Sequence, residues 1–102
     1  MDEPPAQLDS ANVLCWVASQ RGGFYTQSGT DPPIVVVAMA VARYAHGGPF
    51  YLFKCDSNWE VVGDWDCGSV AEAQELAAEH ASGEPLVWHP EAEPGAVAVG
   101  GA

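Results

Sequence analysis

The stretch from Phe50 to Trp88 constrains the fold most, because it has the pattern of a strand, a turn, a second strand and a capped helix. Residues 50–55 are dense in aromatic and apolar side chains, which is typical of a buried or half-buried strand. Residues 56–58, Asp-Ser-Asn, favour a turn because their side chains hydrogen-bond to nearby backbone. Residues 59–66 return as a second strand, so this order predicts a β-hairpin.

A two-residue loop at Ser57 and Asn58 would set the register of this hairpin so that Phe53 faces Val62. Side chains alternate across a sheet. One face then carries Phe50, Leu52, Lys54, Asp56, Trp59, Val61 and Trp65, and the other carries Tyr51, Phe53, Cys55, Glu60, Val62 and Asp64. A shift by one residue would exchange these faces. Both faces are partly apolar, so a helix on one side is not expected to cover all of the apolar surface.

A helix is predicted from about residue 69 to residue 82. Ser69 and Glu72 have the spacing of a capping box, in which the hydroxyl accepts from the backbone of Glu72 and the carboxylate reaches back to Ser69. Gly83 suits a left-handed C-terminal cap. The stripe facing the sheet is mostly alanine and consists of Val70, Ala73, Leu76, Ala77, His80 and Ala81. Residues 86–88 then predict a short strand at the sheet edge.

Several features follow one another in this stretch: an aromatic strand ending in Cys55-Asp56, then Asn58-Trp59, Gly63-Asp64, a helix capped by Ser69 with Glu72, and Gly83 followed by Trp88. In this order they resemble the pattern of a family of small, uncharacterised bacterial proteins. The chain resembles this family over roughly two-fifths of its length. The resemblance implies a fold and no activity, because none is established for the family.

The rest of the chain completes a small α+β domain with an antiparallel sheet of four or five strands and one helix packed on one face. Three further segments predict strands: residues 13–18, 24–26 and 34–44. A helix over residues 38–45 is the alternative, but the β-branched start of that segment favours a strand. The expected boundaries are a flexible arm over residues 1–9, the domain over residues 10–89 and a disordered tail over residues 90–102.

The charge balance separates classes of partner. Fourteen aspartates and glutamates oppose three lysines and arginines, which gives a formal net charge of −11. Such a chain repels nucleic acid and anionic membrane surfaces, and the apolar run over residues 34–42 is too short to span a bilayer as a helix. No signal peptide is recognisable at the N-terminus. We therefore expect a cytoplasmic protein whose partner is a protein, either a basic one or a second copy of itself.

Cysteine and histidine spacing gives little indication of catalysis or metal binding. Three cysteines are an odd number, which disfavours a closed disulfide framework. The candidate metal ligands contain no C-x₂-C pair of the kind common in zinc sites: Cys55, Asp56, Asp64, Asp66, Cys67, His80 and His89. A nucleophile could combine Cys67 with His80 or His46, although chance pairings of this kind are easy. We expect no cofactor, no metal and no catalytic residues.

Two classes of function remain open. The first is a non-enzymatic protein-binding module, such as an acidic inhibitor or immunity-type protein, in which aromatic residues anchor the partner and acids steer it. Its candidate residues are Tyr51, Trp59, Glu60, Asp64, Trp65 and Asp66. The competing interpretation of these aromatics is that the first strand and its loop cover them. The second class is a small enzyme or metal-dependent site built from Cys55, Cys67 and nearby Asp or His, and we favour the first.

Overall fold

The fold is that of a computed structural model, which describes residues 1–90; the predicted tail from residue 91 onward lies outside the described residues. In chain order the elements are β1 (Gln7–Leu8), β2 (Ala11–Ala18), β3 (Tyr25–Gln27), β4 (Ile34–Val36), β5 (Ala38–Tyr44), β6 (Gly47–Cys55), β7 (Val61–Cys67), α1 (Val70–Glu79) and β8 (His89–Pro90).

One antiparallel sheet carries the fold, with the strand order β1-β2-β5-β6-β7. The short strand β8 pairs with β2, and β3 and β4 form a separate two-stranded sheet. The helix α1 follows β7 and packs on one side of the large sheet. The predicted α+β fold, with one helix packed on an antiparallel sheet, is confirmed.

Two of the strand predictions need correction. The segment over residues 34–44 forms two strands, β4 and β5, which are separated at Val37, and it contains no helix. Residues 86–88 do not form a strand, because Leu86 and Trp88 instead pack against the core beside α1. The chain pairs with β2 only at His89 and Pro90, which lie opposite Trp16 and Cys15.

Both sides of the large sheet carry a buried core, as the two-sided pattern predicted. The first face, on which α1 packs, is built from Cys15, Val17, Met39, Val41, Leu52 and Cys67, with Ala73, Ala77 and Ala81 from the helix. The second face is built from Val13, Ala38, Ala40, Ala42, Phe53, Cys55 and Trp59. In β2 a register shift between Val13 and Cys15 places these two residues on opposite faces. The small alanines of β5 let the large rings of neighbouring segments close over the second face.

The helix begins as predicted and ends earlier. The Ser69 hydroxyl accepts from the backbone N–H of Glu72 at 3.0 Å. The Glu72 carboxylate accepts from the N–H of Gly68 at 3.2 Å, one residue before the position that a capping box predicts. Regular helix ends at Glu79, three residues before the predicted end, and the chain then turns through positive φ at Ser82 and Gly83. Gly83 therefore has the left-handed conformation expected of it.

The N-terminal segment contacts the second face. The indole N–H of Trp59 donates to the carbonyl of Asp2 at 2.9 Å, and the Tyr44 hydroxyl donates to the carbonyl of Asp9 at 3.1 Å. Leu8 in β1 is buried in the second-face core. Residues 1–9 therefore help to cover aromatic side chains that α1 cannot reach. That residues 1–9 form a flexible arm stays a prediction.

Glu84 connects the segment after α1 to the loop after β2 through hydrogen bonds. Its carboxylate accepts from the Ser19 hydroxyl at 2.7 Å and from the Gln20 N–H at 2.6 Å. Burial raises the pKa of Glu84, but the hydrogen bonds from Gln20 and Ser19, together with the charge of Arg21, outweigh it and hold that pKa below its usual range. A carboxyl with a depressed pKa in the fold stabilises it above the unfolded pKa, and this contribution is lost as the pH falls through the folded pKa.

We expect Glu84→Gln to lower the free energy of unfolding by about 1–2 kcal/mol at neutral pH, since a charge-assisted pair of hydrogen bonds is weakened. The difference from the parent protein should shrink as the pH falls from the unfolded-state pKa of a glutamate, about 4.3, through the lower pKa of folded Glu84, because the parent carboxylate then becomes protonated as well. Urea unfolding at several pH values measures this. Glu75→Gln, at an exposed position on α1, is the matched control. A pH profile of the Glu84 variant that runs parallel to the parent profile would contradict the assignment.

Candidate protein-binding surface

The strand β7 is the last strand of the large sheet, so within residues 1–90 its outer edge has no strand partner. Its register with β6 places Asp64 opposite Phe53, Trp65 opposite Leu52 and Asp66 opposite Tyr51. Directly opposed residues share a face of the sheet. Asp64 and Asp66 therefore extend the second face, and Trp65 extends the first.

The hairpin register differs from the predicted one. Phe53 faces Asp64 rather than Val62, because the loop is longer than two residues. The backbone N–H of Asp56 donates to the carbonyl of Glu60 at 3.0 Å, and the Asp56 carboxylate accepts from Asn58 and Glu60 N–H groups, which closes the longer loop.

The change of register preserves some predicted faces and exchanges others. A displacement by two residues keeps Asp64 and Trp65 on the faces predicted for them. A register shift between the Lys54 and Cys55 pairs then moves Trp59 and Val61 to the second face and Val62 to the first. Cys55 accordingly faces Val61, not the predicted Glu60.

Trp65 is the most exposed of the aromatic side chains on this hairpin, with 44% of its surface accessible. Its indole lies 5.4 Å from the imidazole of His80 at the end of α1 and 5.1 Å from the Lys54 ammonium. The ring therefore contacts His80 and Lys54 and still has a solvent-accessible surface. A large aromatic side chain in such a position loses little entropy on binding and suits an anchor.

Asp64 and Asp66 are exposed, and the aromatic residues of β6 lie beside them on the second face. Tyr51 is half-buried and stacks on Phe53 with ring centroids 5.8 Å apart. Burial, followed by Asp66, Tyr44 and Asp64, raises the pKa of Tyr51 above its usual value. A tyrosine hydroxyl is neutral at physiological pH even without such a shift, so Tyr51 offers a neutral donor on the face that carries the two carboxylates.

The other two predicted binding residues lie apart from these. Trp59 is only 9% exposed, because its ring meets Trp16 edge-on at 5.7 Å and its N–H bonds to the N-terminal segment. It is a core residue. Glu60 is exposed in the β6–β7 loop. The structure therefore brings Tyr51, Asp64 and Asp66 together on one face and places Trp65 on the other side of the same strand.

Lys54 is a residue that sequence reasoning missed. It is the only lysine in the chain, and its side chain is 8% exposed on the first face. The ammonium lies 5.5 Å from the Tyr25 ring and 5.1 Å from the Trp65 ring, within the range of cation–π attraction. A Cβ at Gly63, which is opposite, would lie 2.9 Å from the lysine Cε, so the glycine makes room for this side chain. The available signal was a single lysine inside an otherwise apolar strand.

The cysteines offer no support for a shared catalytic or metal site. Cys55 lies in the second-face core and Cys67 in the first-face core, on opposite sides of the sheet. Burial, with Asp56 and Asp9 adding to it, raises the pKa of Cys55 to about 12, and burial with Glu72 raises the pKa of Cys67. Protonated thiols are poor nucleophiles. Among the described residues, no group of three His, Cys, Asp or Glu side chains is placed to hold a metal ion.

A cleft of about 560 Å³ lies between the N-terminal segment, the β2–β3 loop and the β6–β7 loop. It is lined by Met1, Asp2, Ser19, Gly22, Val37, Ser57, Asn58 and Trp59. The only carboxylate in this lining is that of Asp2, and the lining contains neither cysteine nor histidine. It therefore offers no acid–base pair and no nucleophile paired with a base. In the part of the chain that the structure describes, no helix is long and apolar enough to cross a membrane.

Comparison of the chain with protein-family models, with curated proteins and with solved structures finds no match. The resemblance to a family of small bacterial proteins therefore stays a prediction.

Proposed function

We propose that this chain is a non-enzymatic protein-binding module of the acidic inhibitor or immunity type, which binds a basic protein through the β7 surface. The β7 surface consists of Tyr51, Asp64, Trp65 and Asp66. One observation carries the proposal: an exposed tryptophan stands between two exposed aspartates on a strand whose outer edge has no strand partner within residues 1–90. An aromatic anchor with adjacent charges is the arrangement by which many interfaces combine affinity with steering.

The distribution of the basic residues supports a basic partner. Lys54 is buried between two rings, and the Arg43 side chain donates to the Gly48 carbonyl and lies 4.5 Å from the Phe50 ring centroid. Arg21 acts on Glu84, whose pKa it lowers. With fourteen acids against three bases, and with the lysine buried, the acids are offset on the surface by two arginines. Such a potential accelerates encounter with a basic surface and repels acidic ones.

A photo-cross-linking experiment tests this proposal in the organism that encodes the chain. We expect p-benzoylphenylalanine in place of Trp65 to form an adduct with a basic protein, identified by mass spectrometry, because the aromatic replacement keeps the anchor at the β7 surface. The same amino acid in place of Val87, which is 71% exposed, is the matched control and should form none. Combining the cross-linker at position 65 with Asp64→Asn and Asp66→Asn should reduce the adduct about tenfold, since two charges near the interface are removed.

Two results would contradict the proposal. Equal adducts from positions 65 and 87 would show that the β7 surface has no special role. An adduct consisting only of two copies of this chain would assign the surface to self-association instead of to a basic partner.

A further inference from the structure

The hydrogen-bonding groups of β7 can be assigned to its two edges. The carbonyl of Cys55 in β6 accepts from Val37 on the β5 side at 3.0 Å. Successive residues of a strand direct their backbone N–H and C=O groups to opposite sides, so every second residue points the same way. The backbone groups of Phe53 and Tyr51 therefore point toward β5, like those of Cys55. Phe53 with Asp64 and Tyr51 with Asp66 are therefore directly opposed pairs that exchange no backbone hydrogen bonds. The N–H and C=O groups of both aspartates therefore point away from the sheet.

An independent contact confirms this direction at the start of the strand. The carbonyl of Val62, two residues before Asp64, accepts from the Gln27 side chain of β3 at 3.3 Å. That carbonyl thus points to the outer edge. The N–H of Gly63 belongs to the same planar peptide unit and therefore points the opposite way, toward β6, so the groups of the next residue, Asp64, point outward. Gln27 occupies the edge at Val62. Among the described residues, 1–90, no strand pairs with the stretch over residues 63–66, which is called the open stretch, and the side chains of Asp64, Trp65 and Asp66 are exposed there.

The alternation along this open stretch specifies the occupant. A strand added in the antiparallel sense would place every second side chain beside Asp64 and Asp66 on the second face, where lysine or arginine is favoured. The side chains between them would lie beside Trp65 on the first face, where apolar residues are favoured. An extended segment with alternating basic and apolar residues meets both requirements.

The same alternation disfavours a second copy of this chain as the occupant. In a two-fold antiparallel pairing centred on Trp65, Asp64 of one copy would lie directly opposite Asp66 of the other, and both such pairs are like-charged. Centring on Asp64 or on Asp66 places that carboxylate opposite itself. Like charges directly opposed across strands are destabilising, and charged edge strands prevent pairing between copies in this way.

We infer that the partner is bound by β-strand addition, in which an extended segment of alternating basic and apolar residues pairs antiparallel with residues 63–66 of β7. This inference rests on the proposed function and specifies how the β7 surface achieves it. The backbone groups of Asp64 and Asp66 hold the segment, their carboxylates select its charge, and Trp65 contacts its apolar side.

The test uses the capped peptide TKVKVKT, which has the length of β7, and two backbone-methylated forms of it. In antiparallel pairing the lysine N–H groups point to β7 and the valine N–H groups point away from it. Methylation of the lysine backbone nitrogens keeps every charge but removes the donors, so we expect at least about a tenfold loss of affinity, of the size of one or two hydrogen bonds. Methylation of the valine nitrogens is the matched control and should cause a much smaller loss.

Amide exchange followed by NMR gives a second readout on the full chain. With the parent peptide bound, the N–H groups of Asp64 and Asp66 should exchange at least about tenfold more slowly, because they gain hydrogen bonds. The N–H groups of Gly63 and Trp65, which already face β6, should change little. Asp64→Asn combined with Asp66→Asn should lower the affinity for the parent peptide, while the bound peptide should still protect the same two backbone N–H groups.

The outcomes separate this inference from the proposed function. If both methylated peptides bind as well as the parent and the aspartate amides gain no protection, strand addition is overturned, while charge-driven binding to the β7 surface stands. If no peptide binds but the cross-linker at position 65 captures a basic protein, strand addition is again overturned. Failure of both the peptides and the cross-linker removes the proposed function itself. Protection of Asp64 and Asp66 by self-association, without peptide, would assign the edge to a second copy.

Discussion

Lys54→Glu is expected to destabilise the protein by about 3–5 kcal/mol, the cost typical of an uncompensated charge in a buried position. The side chain is 8% exposed, and its ammonium lies over the faces of Tyr25 and Trp65. Ring faces are electron-rich, so they attract a cation and repel a carboxylate. The new acid would also add to a net charge of −11. Urea unfolding followed by tryptophan fluorescence measures the change in stability.

Lys54→Met is the control for this prediction, because it keeps an unbranched side chain, shorter by the terminal nitrogen, and removes the charge. It gives up a cation–π attraction of about 1–2 kcal/mol and is relieved of the desolvation of an ammonium, so we expect a net change of less than about 1 kcal/mol. A methionine variant as unstable as the glutamate variant would show that packing, and not the sign of the charge, determines the effect.

Phe53→Ala is expected to lower the free energy of unfolding by about 3–5 kcal/mol, since truncating a buried phenylalanine removes apolar contacts and leaves a cavity. Phe53 is 2% exposed in the second-face core and stacks on Tyr51. This is a large fraction of the roughly 5–15 kcal/mol that stabilises a typical small domain. Thermal and urea unfolding of the purified variant measure it.

The same truncation at Phe50 is the matched control, because this phenylalanine of β6 is only partly buried and lies beside Arg43. We expect Phe50→Ala to cost less than half as much as Phe53→Ala, in proportion to the smaller apolar area lost. Equal losses at the two positions would mean that the second face is not the packed core that the structure shows.

The two predictions concern neighbouring residues of β6 that support the β7 surface from opposite sides. The Lys54 ammonium lies 5.1 Å from the Trp65 ring on the first face, and Phe53 lies opposite Asp64 and stacks on Tyr51 on the second. A folded variant at Lys54 should therefore weaken binding through Trp65, and a folded variant at Phe53 should weaken binding through the acids. Lys54→Met is suited to this comparison, since it is expected to remain folded.

Several features of the fold and of the surface could be predicted from local patterns. The serine and glutamate at the start of α1 indicated the helix N-terminus, because a capping contact spans only three residues. The alternation of residues 64–66 correctly separated Asp64 from Trp65, and it survived an error of two residues in the register since a strand repeats every second residue. The charge excess is likewise a property of composition.

Other features depended on contacts between distant parts of the chain. Trp59 had the pattern of an exposed anchor, but its partners are Trp16 and the carbonyl of Asp2, more than forty residues away. The length of the β6–β7 loop is a local feature that was still mispredicted, because it depends on a positive φ at Trp59 that no propensity indicates. The burial of Lys54 required Tyr25 from β3 and space at Gly63.

By itself, the sequence determined that this is an acidic α+β domain with apolar residues on both faces of its sheet, and that Asp64 and Trp65 point to opposite sides of one strand. Only the tertiary structure decided that β7 lies at the sheet edge, that Trp65 remains open and that Trp59 does not. The reason is that alternation and capping are governed by neighbours within a few residues, whereas strand order and coverage are governed by packing among segments that are far apart in the chain.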